Sequence, residues 1–300
     1  DKNWRIVNGE RLPKTEHGDV EFYRGLRWHG KNIETIKIGE LELPTDIYCG
    51  FMGYYLSEGS ITRLRKQNTE NNYRDKWQIT IAQSKTVNKE KYSIIEELLN
   101  KMPVKWWATE TGFITTDDDL CKYVLQFGKS YEKYIPREIK ELSSEKIKIF
   151  LDAYVLGDGS IRKGRKFKNY SFGDEIEYFT SSKRLADDLG ELILKAGYRP
   201  SYRLQKSKGK KVNFQNGEYE IKQNVWRIRR CNSLTASIIK KELVQYDDYV
   251  YDVELPKWHV LLVRRNGKIA WSGNCMCYTT NIYPEIKDYV ARLKEAEYAL

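Results

Sequence analysis

Two acids stand at matching places in this chain. Glu58 closes the run Phe51-Met-Gly-Tyr-Tyr-Leu-Ser-Glu58 and Asp158 closes Leu151-Asp-Ala-Tyr-Val-Leu-Gly-Asp158, one hundred residues later. Each run is apolar and helix-like, and each acid is followed by Gly-Ser. Small residues lie four apart in both, Gly53 and Ser57 in the first, Ala153 and Gly157 in the second. That spacing puts them on one helix face and lets two backbones approach closely. Helices packed through those faces would deliver their terminal acids side by side. Paired carboxylates of this kind offer hard oxygen donors to Mg²⁺ or another divalent cation, and such a cation serves phosphodiester hydrolysis.

The surrounding sequence predicts the elements that would hold the acids. The first helix starts near Thr45-Asp46, after Pro44, and the second near Ser143-Ser144-Glu145; these are N-cap residue types with an acid in the first turn. After Glu58 come a strand at Trp77–Gln83, a helix at Lys89–Met102 with Ile94, Ile95, Leu98 and Leu99 on one face, a strand pair around 104–109 and 112–116, and a helix at 118–127. After Asp158 the order recurs, with strands at Glu175–Thr180, Arg199–Gln205 and Asn224–Arg230 and helices at Arg184–Ala196 and Ser233–Lys241. The chain thus reads as an α+β half used twice. Trp77–Gln83 and Trp226–Arg230 alternate as half-buried strands do, leaving a polar face outward that suits the DNA major groove.

Composition narrows the partners. The chain has 52 Lys plus Arg against 42 Asp plus Glu, a formal charge of +10, and 40% hydrophobic residues, enough for a packed core. Much of the excess lies in Arg162–Lys168, Arg199–Lys211 and Trp226–Arg230, interleaved with Phe167, Tyr170, Tyr198, Tyr202, Phe214 and Trp226. Basic, aromatic-laced strands suit a nucleic-acid surface. Candidate DNA contacts are Arg63, Arg65, Lys66, Gln78, Gln83, Arg162, Lys163, Arg165, Arg203, Arg227, Arg229 and Arg230. No apolar run reaches the roughly 20 residues of a membrane span. The five cysteines are scattered, without a Cys-x-x-Cys pair, which fits a reducing cytoplasm better than a disulfide framework.

Phe51–Gly59 and Leu151–Gly159 resemble the paired LAGLIDADG (dodecapeptide) motifs of homing endonucleases, the likeness covering about residues 45 to 245. The resemblance implies a monomer with internal pseudo-twofold symmetry, built from an αββαββα half at 45–142 and another at 143–245. In that family four-stranded sheets saddle double-stranded DNA. The last acid of each motif binds catalytic divalent ions with the carbonyl of the residue before it, which maps to Glu58 with Ser57 and Asp158 with Gly157. Lys133-Tyr-Ile-Pro136 is similar to a family Lys-x-Ile-Pro segment, which implies that Lys133 is catalytic; Lys240 and Lys241 are its candidate counterparts after the second half. LAGLIDADG folds also serve as RNA maturases and transcription factors. An inactive nucleic-acid-binding module, or a relic nuclease in a split intein acting mainly in splicing, is therefore the alternative.

A second module follows at 246–274. Tyr249 to Cys275 reads as short strands with Asn266-Gly267 as a two-residue hairpin turn, and it ends in Asn-Cys. An Asn side-chain amide can cleave the chain by attacking its own carbonyl, and a following Cys can accept an acyl group. This segment resembles the C-terminal splicing (Hint) blocks of inteins. The likeness implies that Asp252 and His259 belong to the upstream block, that Asn274 cyclises, and that Cys275 opens the downstream host segment at 275–300. Gly273 stands where such blocks usually carry His. Residues 1–44 are then expected to connect to an N-terminal splicing region lying elsewhere, supplied in trans if the intein is split. The tail from Cys275-Met-Cys277 is similar to that of phage minor head proteins, so a prokaryotic or phage-infected cell is the expected setting.

Overall fold

The computed structural model describes residues 21–23, 28–64, 76–164, 173–214, 217–232, 235–237, 245, 247, 260–265 and 268–273. Two compact units divide the chain. One holds Gly25–Leu234 with Arg265–Ile269, the other Asp1–Arg24, Thr235–Arg264 and Ala270–Leu300. β1 (Glu21–Tyr23) opens the second of these.

The larger unit starts with a hairpin, β2 (Thr35–Ile38) and β3 (Leu41–Pro44), which turns at Gly39 with φ +58°. The first motif helix, α1 (Thr45–Glu58), follows, then β4 (Gly59–Leu64), β5 (Lys76–Ala82), α2 (Lys89–Asn100), β6 (Trp107–Thr109), β7 (Gly112–Thr115) and α3 (Asp118–Leu125). A short helix, α4 (Arg137–Lys140), leads to the second motif helix, α5 (Ser144–Asp158). Then come β8 (Gly159–Arg162), β9 (Glu175–Thr180), α6 (Lys183–Lys195), β10 (Arg199–Gln205), β11 (Lys211–Phe214), β12 (Gly217–Glu220) and β13 (Val225–Cys231).

The two antiparallel sheets have the same strand order. The first runs β4-β5-β7-β6, the second β8-β9-β13-β10, with the β11–β12 hairpin inserted before the last strand of the second. In both, the strand leaving the motif acid forms an edge and pairs with the strand that follows it. Alternation sets which side faces the helices. Ile79 and Ile81 of β5, and Ile228 of β13, are buried, and the residues between them turn to the opposite face.

α1 differs from α2 and α6. Its residues from Tyr48 to Leu56 are all buried, as befits a helix at the centre of a unit, whereas α2 buries the one stripe of Tyr92, Ile95 and Leu99, and α6 leaves open the side that carries Lys183, Arg184, Asp187 and Glu191. One apolar cluster runs through both halves and includes Phe51, Met52, Tyr55, Phe150, Leu151, Leu189 and Ile228.

The structure departs from the sequence reading in four places. Residues 28–44, read as connector, pack within the larger unit. Lys31 pairs with Leu142 in a β-bridge, its N–H donating to Glu141 O at 2.7 Å and its O accepting from Ser143 N at 2.9 Å, while Trp28 Nε1 donates to Leu142 O at 2.8 Å. Pro44, not Thr45, caps α1, and the buried Thr45 hydroxyl has no hydrogen-bond partner among the described residues. The helix expected at 233–241 contains instead β14 (Thr235–Ser237), whose backbone groups are satisfied by pairing with β1. The β11–β12 hairpin lies in a stretch read only as a basic run. Finally, β15 (Val260–Arg265) and β16 (Lys268–Gly273) pair as expected, and Gly273 is the last residue of β16. No described helix is long and apolar enough to cross a membrane.

Candidate active site and nucleic-acid face

α1 and α5 meet through their small residues. A Cβ added at Gly53 would lie 2.7 Å from Ala153 Cβ and 2.7 Å from Phe150 O; one added at Gly157 would overlap the Ser57 hydroxyl and lie 2.7 Å from Glu58 Cγ. Ser57 turns its own hydroxyl back into α1, donating to Gly53 O at 2.9 Å. At the other end of the pair, Lys146 of α5 forms an ion pair with Asp46 of α1. Ser143 caps α5, accepting from Lys146 N at 3.5 Å.

This packing brings Glu58 and Asp158 together where both helices end. Desolvation among the packed helix ends, reinforced by the Glu58 charge and opposed by Lys133, raises the Asp158 carboxyl from 3.8 to about 6. Its side chain still meets solvent, so it sits in a crowded crease that water reaches. The Glu58 carboxyl is also raised, by desolvation, with Lys91 and then Lys133 opposing.

Lys133 is only 4% exposed, and its ammonium is spent on the end of α1. Nζ donates to Gly59 O at 2.7 Å, Tyr55 O at 2.9 Å and Leu56 O at 3.2 Å, and lies 5.2 Å from the Tyr55 ring centroid. A cation at a helix C-terminus satisfies carbonyls that have no intrahelical partner and meets the negative end of the dipole. Burial lowers its pKa from 10.5 to about 8, while the charges of Asp158 and Glu58 resist the fall.

The donor set fits a hard divalent cation. Two carboxylates, Glu58 and Asp158, converge, and no group of three or more His, Cys, Asp or Glu is found among the described residues. Mg²⁺ is commonly held by one or two carboxylates, with water and substrate phosphate completing the shell.

The two sheet faces turned away from the helices differ. On the first sheet, Ser60, Thr62, Gln78, Thr80 and Ile114 lie on one side by register, and the side is largely uncharged. On the second, cations are matched to acids. Arg227 grips Glu177 with two bonds, Nε to Oε1 at 2.6 Å and Nη2 to Oε2 at 2.5 Å; Arg229 pairs with Glu175; Arg162 lies 3.6 Å from Glu175 and Lys163 3.7 Å from Asp174. Arg203, opposite Arg227 in the register, is exposed on β10.

Three candidates belong to the other side. Arg63 lies opposite Trp77, on the side of Ile61 and Ile79, although its side chain is exposed. Gln83 shares the parity of Ile79 and Ile81 and is 7% exposed, so it faces inward where Gln78 faces out. Arg230 shares the parity of Ile228, and its guanidinium stacks 4.2 Å from the Tyr198 ring centroid. Arg65, Lys66, Arg165, Lys240, Lys241, Asp252, His259, Asn274 and Cys275 lie outside the described residues.

Sequence reasoning missed Lys91 of α2, the largest opposing charge on Glu58, because an exposed-looking lysine in a charged helix gives no signal. It also missed Asp188 of α6. A signal existed there: Leu185, Asp188, Leu189 and Leu192 share one helical stripe, so an acid interrupts the apolar face.

Residues 145–243 match the family model of a LAGLIDADG-like domain. That span takes in nearly all of α5 with Asp158, and the whole second sheet; the first half, outside the match, has the same strand order. Among curated proteins, the chain is 25% identical over 272 residues to a DNA-directed RNA polymerase subunit beta C-terminal section from Stigeoclonium helveticum, covering 80% of this chain and 25% of the relative. It is 26% identical over 181 residues to an ATP-dependent Clp protease proteolytic subunit from Chlamydomonas moewusii, covering 59% of this chain and 17% of the relative. The chain thus spans a quarter or less of these relatives. Among solved structures, it is similar to I-DmoI in complex with DNA and Mn, at 12% identity and TM-score 0.37, covering 62% of this chain and 89% of that one. It is also similar to the I-LtrWI LAGLIDADG homing endonuclease bound to target DNA, at 11% identity and TM-score 0.32, covering 61% and 78%.

Proposed function

We propose that this chain is a site-specific, divalent-metal-dependent endonuclease of double-stranded DNA, carried as an insertion within a host protein. The observation that carries the nuclease reading is the convergence of Glu58 and Asp158 at the ends of two helices packed through Gly53, Ala153, Ser57 and Gly157. The two halves are read as pseudo-twofold mates, which accounts for the repeated strand order.

When bound, a divalent cation supplies charge stabilisation to the phosphodiester and activates the attacking water. Glu58 and Asp158 hold it as ionised carboxylates, with the Ser57 and Gly157 carbonyls alongside. Lys133 keeps a positive charge near the two acids, and its bonds to two α1 carbonyls and to Gly59 O fix the turn that presents Glu58. The sheet faces turned from the helices carry the duplex: hydroxyl and amide groups of the first read base edges, and Arg203, Arg227 and Arg229 of the second meet phosphates and guanines.

Insertion is supported by the curated relatives. An RNA polymerase subunit and a protease subunit have unrelated activities, yet each resembles this chain over a quarter or less of its own length. A mobile segment shared by different hosts gives that pattern, and an intein is such a segment. In this reading Asp252, His259, Gly273 and Asn274 form the C-terminal splicing block, and Cys275 begins the host sequence.

The test is cleavage of a plasmid carrying the host gene without the insertion. Purified chain with Mg²⁺ should linearise it at the insertion point, and EDTA should stop the reaction. A plasmid left intact over a range of Mg²⁺ and Mn²⁺ concentrations contradicts the nuclease reading.

A further inference from the structure

Asp188 is a buried acid with a defined task. It sits on α6 in the second half, 5% exposed, and its two oxygens are divided between two partners. Oδ2 accepts from Ile135 N at 2.9 Å, and Oδ1 accepts from Lys140 Nζ at 3.0 Å. A neighbouring α6 residue binds the same strand of chain: Ser182, the α6 N-cap, donates from Oγ to Lys133 O at 2.6 Å while accepting from Leu185 N at 3.1 Å. Arg184 closes the grip, its guanidinium 3.7 Å from the Tyr134 ring centroid. Residues 133 to 135 are therefore fastened to α6 at Lys133 O, the Tyr134 ring and Ile135 N. The Lys133 side chain, in turn, holds the end of α1.

We propose that Asp188 is a positioning residue for Lys133: through the Ile135 N–H it fixes the Lys133–Ile135 strap, so that α6 of the second half sets the end of α1 that carries Glu58 in the first. The proposal rests on the nuclease reading for its catalytic consequence and not for its geometry. An isolated buried acid would be costly, and the divided hydrogen bonding explains why one is tolerated at this point of an apolar stripe. A backbone N–H held by a carboxylate is a strong, directional anchor. The Lys140 ion pair is the weaker half of the arrangement, because Lys140 is partly open to solvent.

Three variants separate positioning from general stability. Asp188→Ala removes the anchor, Lys140→Met removes only the ion pair, and Lys133→Met removes the clamp itself. Cleavage kcat should fall about tenfold or more in Asp188→Ala with the DNA Kd unchanged, the scale expected when a supporting residue is lost. Lys140→Met should lower the melting midpoint but keep kcat within about twofold. Adding Asp188→Ala to Lys133→Met should cause little further loss, since Asp188 acts on activity through Lys133. A readout without activity accompanies these: amide hydrogen exchange at residues 55 to 59 should accelerate in Asp188→Ala and in Lys133→Met, and not in Lys140→Met. Exchange at 55 to 59 unchanged in Asp188→Ala, or kcat losses that multiply in the double variant, would overturn the proposal. A wild-type protein that cuts no DNA sinks the nuclease reading, while the exchange result still decides the strap.

Discussion

Gly157 of α5 faces Ser57 of α1 so closely that a Cβ on the glycine would overlap the serine hydroxyl. Both neighbouring positions lead directly to the acids, so the contact sets their separation.

Filling that contact should damage the protein in proportion to the added volume. Gly157→Ala and Gly53→Val are expected to lower unfolding free energy by about 1–3 kcal/mol, the scale of overpacking in a well-filled interior. Urea unfolding measures this. A Gly157→Ala variant as stable as wild type would place the α1–α5 contact elsewhere.

The metal-free protein should carry a pH signature at Asp158. Its carboxyl is raised from 3.8 to about 6, so the folded chain keeps a proton where the unfolded chain has lost it. Stability from this group is fully present below pH 3.8 and is lost as pH rises through 6. The stability difference between wild type and Asp158→Asn should therefore shift against wild type between pH 4 and 7. Mg²⁺ should offset that loss near neutrality, because the cation takes the deprotonated site. A carboxyl ¹³C titration giving Asp158 its ordinary value removes the basis for this expectation.

The repeat, the helix-packing residues and the acids were legible because they depend on local spacing: small residues four apart, an acid before Gly-Ser, and strands alternating in period two. What escaped depends on tertiary partners. Nothing local in Thr235-Ala-Ser237 announces that Glu21–Tyr23 will pair with it. Residues 28–31 give no periodic pattern, yet their backbone and the Trp28 indole lock onto 141–144. The arginines of Trp226–Arg230 were read as one basic run, whereas parity sends Arg230 to Tyr198 and leaves Arg227 and Arg229 facing acids on β9. Gln83 has the composition of a DNA contact but the parity of Ile79 and Ile81, which turns it inward.

Those ion pairs change what an arginine deletion should do. Arg227→Ala strands Glu177, whose side chain is 4% exposed, and should destabilise the fold by about 3 kcal/mol. Adding Glu177→Gln should recover most of that loss. Arg203→Ala on the exposed β10 should leave stability within about 0.5 kcal/mol and reduce the salt slope of DNA binding by about one. Equal stability losses for Arg227→Ala and Arg203→Ala would mean the Glu177 pairing is not maintained in solution.

Splicing chemistry offers a test that needs no DNA. If Asn274 cyclises, incubation should release the segment beginning at Cys275, and intact mass should show the upstream piece ending in succinimide. Gly273 provides no imidazole to protonate the leaving amine, so release should be slow, and Gly273→His should accelerate it. Release at an undiminished rate from Asn274→Ala would assign the cleavage to another cause.

In the proposed function Glu58 and Asp158 jointly hold the divalent cation on which DNA cleavage depends. The most direct measurement is paired cleavage and binding by Asp158→Asn on a duplex spanning the insertion point, with Mg²⁺ present. Cleavage should fall by at least about a hundredfold, the scale of losing a charge-stabilising group at a reacting centre, with Kd within about threefold of wild type. Wild-type cleavage by Asp158→Asn would contradict that function.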